Sequence, residues 1–239
     1  MPDDAASCRD LMQIYPSDSG AVPALRGVDA QFPVGSITVV TGPSGAGKST
    51  LLRLLACLER PVAGEVFIAG ERTAHLRRNA RRELITRQIG YVFQRPRDNL
   101  LDYLTAAEHL TMALQMRNGQ RVGRVDRNAM MASFNLDDVA SRRPDQLGAG
   151  RQQLLAFAMA IAGDPAIVVA DEPTAELDAD AAAGLIRQLA VAAGAGRTFV
   201  LATHDPMVMA IADQHLVVRR GLLEQHELLA RRPDDREPR

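Results

Sequence analysis

The stretch TGPSGAGKST, residues 41–50, contains the one lysine of a 239-residue chain; the other 27 of its 28 basic residues are arginine. Gly42, Gly47, Lys48 and Ser49 satisfy the pattern G-x-x-x-x-G-K-[ST], in which glycines let successive backbone N–H groups curl around a chain of phosphates. The candidate phosphate cradle is Gly42, Pro43, Ser44, Gly45, Ala46, Gly47, Lys48, Ser49 and Thr50. A helix starting near Ser49 would add the positive end of its dipole. Lys48 is explained by shape: a slim stem and compact ammonium reach the β- and γ-phosphates through a narrow loop that a broad, planar guanidinium does not fit. A composition pushed toward arginine stops at this position. The competing reading is a glycine-rich turn that binds nothing, and the surrounding strand, helix and solitary lysine argue against it.

A second group of candidates follows from IVVADE, residues 167–172, which ends a short apolar run in Asp171 and Glu172. Asp171 is suited to holding a magnesium-bound water and Glu172 to polarising an attacking one. Two acids capping the next helix would explain one carboxylate but not both before Pro173.

These side chains need elements to hold them. SITVVT, residues 36–41, is β-branched and reads as a buried strand; STLLRLLACLER after it has helical spacing, so the glycine loop joins strand to helix. GEVFIAG and IGYVFQ read as further strands, and RRNARRELITR between them as a basic helix with a solvated face. From Asp102 to about Ala162 the pattern turns helical, with leucines and methionines at core spacing. AIVVAD and TFVLATHD are apolar runs of strand length ending in polar residues, as expected of parallel strands whose C-terminal ends carry a site. The tail RRPDDREPR is predicted to be disordered.

Composition narrows the class. A hydrophobic content of 46% supports a compact core, and a formal net charge of −1 offers no overall field to gather nucleic acid or an anionic membrane. Cys8 and Cys57 fit neither a disulfide framework nor a metal cluster, and Cys57 lies in an apolar run where a buried free thiol is expected. No apolar stretch is long enough to span a membrane, and MPDDAASCRD does not read as a signal peptide. The expectation is a soluble protein in a reducing, cytoplasmic compartment.

With these residues in place the chain, from about Leu11 to about Glu227, resembles the nucleotide-binding subunit of ABC transporters. GPSGAGKST looks like its Walker A loop, YVFQ ending at Gln94 like its Q-loop, and IVVADE like Walker B with the catalytic glutamate. AELD, ending at Asp178, resembles the D-loop, and LATHD puts His204 at the switch histidine. Tyr15 is placed like the aromatic that stacks on adenine. The resemblance implies an α/β P-loop NTPase with a RecA-like core, a β-rich edge and an inserted helical subdomain at about residues 100–162. It also implies one domain over residues 1–232, with 233–239 as the disordered tail. ATP and Mg2+ are the implied cofactors, with Lys48, Gln94, Glu172 and His204 catalytic and Ser49, Gln94 and Asp171 about the metal. Two subunits would sandwich ATP head to tail, each site completed in trans by the partner's signature motif and D-loop aspartate.

The family signature LSGGQ is here LGAGR, Leu147 to Arg151. Gly148 replaces the serine that would bond the γ-phosphate, Ala149 puts a methyl where backbone and phosphate approach, and Gly150 is kept. Losing one charge-assisted hydrogen bond of about 1.5–3 kcal/mol would slow the affected site roughly ten- to a hundredfold. Arg151 brings a positive charge expected to compensate in part across the interface. Leu154 and Met159 also stand where relatives have arginine. Gly148, Ala149, Gly150, Arg151 and Asp178 would act on the partner's nucleotide, so the chain's own half-site reads as competent.

The expected function is ATP hydrolysis that works a separately encoded membrane permease, most like the lipoprotein-release, macrolide-export and FtsE-like systems. The cassette would be a homodimer or a heterodimer with a second ATPase, peripheral on the inner face of the membrane, with no nucleic-acid partner. The alternative is a regulatory or mechanotransmission module in which binding matters more than turnover. A P-loop kinase would need neither His204 nor AELD.

Overall fold

The computed structural model describes residues 4–17, 20–118 and 124–229; the expected disordered tail lies outside them. The chain opens with two long strands, β1 (Asp4–Ser17) and β2 (Gly20–Pro33), then β3 (Ile37–Thr41) and helix α1 (Lys48–Leu55). Strands β4 (Ala63–Ile68) and β5 (Glu71–Arg72), helix α2 (Arg78–Gln88) and strand β6 (Ile89–Val92) follow. Three helices come next: α3 (Ala106–Asn118), α4 (Arg124–Ser133) and α5 (Ala149–Ile161). The chain then runs β7 (Ile167–Asp171), α6 (Ala179–Gly194), β8 (Thr198–Ala202), α7 (Pro206–Ala210), β9 (Gln214–Arg219) and β10 (Leu222–Leu228).

Two sheets result. The larger has strand order β10-β9-β3-β8-β7-β6 and is parallel from β9 to β6, with β10 antiparallel at its edge; the smaller, β2-β1-β4-β5, is antiparallel. All five residues of β3, of β7 and of β8 are buried, the signature of strands covered on both faces. Alternate residues therefore feed two cores. Val39, Val168, Phe199 and Leu201 pack with α5 and α6, while Val40, Val169, Val200 and Ala202 pack with α1 and the antiparallel sheet. This is the α/β architecture expected, with helices inserted between β6 and β7.

Several local readings are met with adjustments. Helix α1 stops at Leu55, because Cys57 adopts a left-handed φ of 53° and turns the chain. Both cysteines are free and buried, and desolvation pushes the Cys8 thiol up to about 12. On α2 most charges are exposed, as expected of a solvated face, but Arg81 donates to the carbonyls of Cys57 and Glu59 and closes the end of α1. Met131 fills the core whereas Met116 is 55% exposed.

Arg117, at the end of α3, joins the helical insert to the sheet. Its guanidinium donates to the carbonyls of Thr86, Ile89, Ala160 and Ala162, gathering the ends of α2 and α5 onto the start of β6. Burial lowers its pKa to about 10, so it stays charged at neutral pH among carbonyls left open at helix C-termini.

Candidate active site

The C-terminal ends of β3, β8, β7 and β6 lie side by side in that order, and each is followed by a residue the sequence singled out. After β3 comes the glycine loop. Gly42 has φ 148°, and a Cβ there would lie 2.0 Å from the Val218 carbonyl oxygen of β9; at Gly47, φ 112°, it would lie 2.4 Å from the Ala24 carbonyl oxygen of β2. The two glycines are thus required by backbone packed against them from both sheets, in addition to their use in shaping the cradle. Gly47 caps α1 without a side-chain bond, so the first amides of that helix open toward the loop.

Lys48 crosses this loop. Its Nζ donates to the carbonyl of Gly42 at 2.7 Å and of Pro43 at 3.2 Å. His204, after β8, brings Nε2 to the same Gly42 oxygen at 3.1 Å, which requires the proton on that nitrogen because a carbonyl only accepts. Ser49 donates its hydroxyl to Asp171 Oδ2 at 2.5 Å, and Asp171 is 7% exposed. These two oxygen donors, one neutral and one anionic, come from the start of α1 and the end of β7 and suit a hard cation that takes few protein ligands.

Glu172 occupies a left-handed conformation, φ 48°, sparsely populated for a residue with a side chain. Its backbone N–H donates to the Ala202 carbonyl at 2.8 Å, tying the turn after β7 to the end of β8. Two more tethers hold this turn: Thr174 donates its hydroxyl to Asp205 Oδ2 at 2.6 Å, and Gln153 on α5 donates its side-chain amide to the Pro173 carbonyl at 3.0 Å. Both partners were missed in the sequence, where an isolated Thr and Gln carry no pattern.

Gln94 is exposed two residues past β6, whose register against β7 pairs Val92 with Ala170 and so brings Gln94 to the Asp171 end of the sheet. The bend after it is fixed by Asn99, which accepts from the Phe93 N–H at 2.9 Å and donates to the Tyr91 carbonyl at 2.8 Å. His109, 0% exposed, then accepts from the Leu101 N–H at Nε2, 2.8 Å, and through Nδ1 bonds the Thr105 carbonyl at 2.8 Å. Neither residue forms part of a recognisable motif. Tyr15 lies near Thr50, with its hydroxyl donating to Glu59; burial first, and then Glu59, raises its pKa.

The altered signature opens α5. Gly148 caps the helix with no side-chain bond, and a Cβ there would meet nothing within 4 Å. At Gly150 a Cβ would lie 3.2 Å from the Glu176 carbonyl oxygen, so α5 and the segment before α6 run close together. Asp178 caps α6, accepting from the Ala181 N–H at 2.8 Å. Gly148, Gly150, Arg151, Glu176 and Asp178 share the lining of a cavity of about 750 Å³. Arg151 is engaged within its own chain, donating to the Asn135 carbonyl and pairing with Asp138 at 3.3 Å. Leu154 is buried at 7% exposure and Met159 packs on the same core, so both fill apolar space between α5 and its neighbours.

Comparison with known proteins fits this geometry. Residues 25–175 match the family described as ABC transporter. An ABC transporter ATP-binding protein of Thermotoga maritima is 36% identical over 216 residues, covering 90% of this chain and 92% of its own length. The macrolide export ATP-binding/permease protein MacB of Rhodopseudomonas palustris is also 36% identical over 216 residues, but this chain spans only 33% of that protein. Among solved structures, the dimeric ATP-binding cassette MJ0796 in a post-hydrolysis state with ADP and Pi superposes with a TM-score of 0.87 at 30% identity, over 94% of this chain and 99% of that one.

Proposed function

Because the chain belongs to the ABC transporter family, we propose that it is an ATP-hydrolysing cassette whose closure as a dimer works a membrane permease. The observation that carries this reading is the convergence of Lys48 and His204 on one loop carbonyl, beside the Ser49–Asp171 contact and the turn that presents Glu172. In this reading the amides of residues 42–50 and the start of α1 hold the triphosphate, and Lys48 leaves its loop carbonyls for the β- and γ-phosphates. Tyr15 supports the adenine. Glu172 orients and polarises the attacking water, and His204, held protonated at Nε2 by the Gly42 carbonyl, donates to charge developing on the γ-phosphate. Ser49, Asp171 and Gln94 are all oxygen donors and would hold Mg2+, which would neutralise charge on the phosphate oxygens.

The helices between about residues 100 and 162 form an inserted subdomain of one domain that extends over residues 1–232. Gly148, Ala149, Gly150, Arg151 and Asp178 face the partner's nucleotide in the closed dimer. The exposed Gln94 and the bend held by Asn99 and His109 face the permease. No helix among the described residues is long and apolar enough to cross a membrane. The proposed place of the cassette is peripheral on the inner membrane face, against a separately encoded permease. Membership of a macrolide-export, lipoprotein-release or FtsE-like system is the accompanying proposal.

The test is Mg-ATP hydrolysis by the full chain with its membrane partner, beside Lys48→Ala and Glu172→Gln. Turnover that both substitutions abolish supports the reading; turnover indifferent to both overturns it. The lack of a hydroxyl at Gly148 favours a second reading, a regulatory or mechanotransmission module in which ATP binding dominates. In that case Glu172→Gln would leave the output on the membrane partner unchanged.

A further inference from the structure

Gln153 lies one turn into α5 at 1% exposure, directly before the buried apolar run Leu154–Ala158, and its side chain is only half satisfied. Its amide nitrogen donates to the Pro173 carbonyl, while Oε1 has no hydrogen-bond partner among the described residues. A carbonyl neighbour accepts only, so the amide orientation is set by chemistry. An apolar side chain would suit this burial better, since a buried acceptor without a partner is a net cost. A glutamine at this position is explained by what its donor holds.

What it holds is the residue directly after Glu172. The Glu172–Pro173 step is in a sparsely populated conformation and depends on its surroundings to persist. The Ala202 carbonyl holds the Glu172 N–H, Thr174 is tied to Asp205, and from α5 Gln153 reaches Pro173. The same helix meets the same turn again where Gly150 closes on the Glu176 carbonyl. Helix α5 and the turn thus touch at two points separated by one helical turn.

We infer that Gln153 is a positioning residue that fixes the Glu172–Pro173 turn from α5, so that the aim of the water-polarising carboxylate in one site depends on the helix that faces the other site. The inference rests on the role given to Glu172 above. It gives the two nucleotides of a dimer a short mechanical link inside each chain: a pull on Gly148–Arg151 reaches Glu172 through the Gln153 amide, beside the close approach of Gly150 to Glu176.

Gln153→Met keeps volume and removes the donor. It should lower kcat by about ten- to a hundredfold while KM for ATP stays within about twofold, because what changes is alignment and not binding. Its melting temperature should hold or rise, and amide exchange at Ala175 and Leu177 should quicken as the turn loosens. Gln153→Glu supplies a second arm: ionised it cannot donate to Pro173, protonated it can. Its kcat relative to the parent should therefore recover as pH is lowered from about 8 to about 6, the range to which burial raises a carboxyl. A parental kcat in Gln153→Met, a loss shared equally with ATP affinity and melting temperature, or a pH-independent deficit in Gln153→Glu each overturns the inference. If Glu172→Gln proves neutral, the role of Glu172 fails instead, and the exchange rates at Ala175 and Leu177 then decide the tether alone.

Discussion

At the scale of single residues, the chemistry turns on which groups share an acceptor. Lys48 and His204 both end on the Gly42 carbonyl, and β9 and β2 leave no room for a side chain at Gly42 and Gly47. Lys48→Arg keeps the charge but not the fit, so it is expected to cost at least about a hundredfold in hydrolysis, close to Lys48→Ala, in a steady-state phosphate-release assay. Gly148 offers the reverse experiment. Open space surrounds the missing Cβ, so Gly148→Ser should fold without strain, and exchanging Gly for Ser at a helix cap changes stability by only a few tenths of a kcal/mol. Turnover of the assembled dimer should nonetheless rise about tenfold as the hydroxyl regains a γ-phosphate contact. Equal melting temperature with unequal turnover is the pattern to look for. Arg151, expected to act across the interface, is bound to Asn135 and Asp138 of its own chain, and a trans role would require it to leave them.

At the scale of elements, legibility in the sequence followed regularity. Strands β3, β7 and β8 and the loop after β3 could be read because buried parallel strands are continuous apolar runs and the loop pattern is specific. Strands β1 and β2 could not. Their pairing slips at four places, Asp10 takes a left-handed φ of 45°, and Pro16 and Pro23 interrupt the alternation, so no period of two survives over their 14 residues each. The tethers around the site were equally hidden, since Asn99, His109, Gln153 and Thr174 each act through a backbone partner that only the fold supplies. His109 makes a prediction about the segment between β6 and α3. Desolvation first lowers its pKa below the usual histidine value, and accepting from the Leu101 N–H requires the neutral ring. The unfolded chain then takes up the proton first, so this contribution is complete above about pH 6.5 and declines as pH falls toward the folded value. Melting temperatures measured across that window should fall less steeply for His109→Gln than for the parent.

At the scale of the whole molecule, the proposed function gives the chain half of two sites: the loop and Glu172 in one, the start of α5 and Asp178 in the other. ATP should therefore assemble it. Glu172→Gln, able to bind but not to cleave, is expected to elute as a dimer with Mg-ATP and as a monomer without it, and adding Lys48→Ala should abolish the shift in size-exclusion chromatography. Homodimer and heterodimer separate in the same measurement, because only a self-complementary chain shifts when it is alone. The two sheets add a last consequence. Carbonyl oxygens of Ala24 and Val218 press on the glycine loop from opposite sheets, and Arg26 is bonded to Gly221 just beside them. The loop is held as in a vice at Gly42 and Gly47, the two points where those strands meet it. An occupant's grip must then stiffen both jaws together, and deuterium uptake along β2 and β9 should slow in step with saturation by nucleotide, although neither strand supplies a residue to the chemistry.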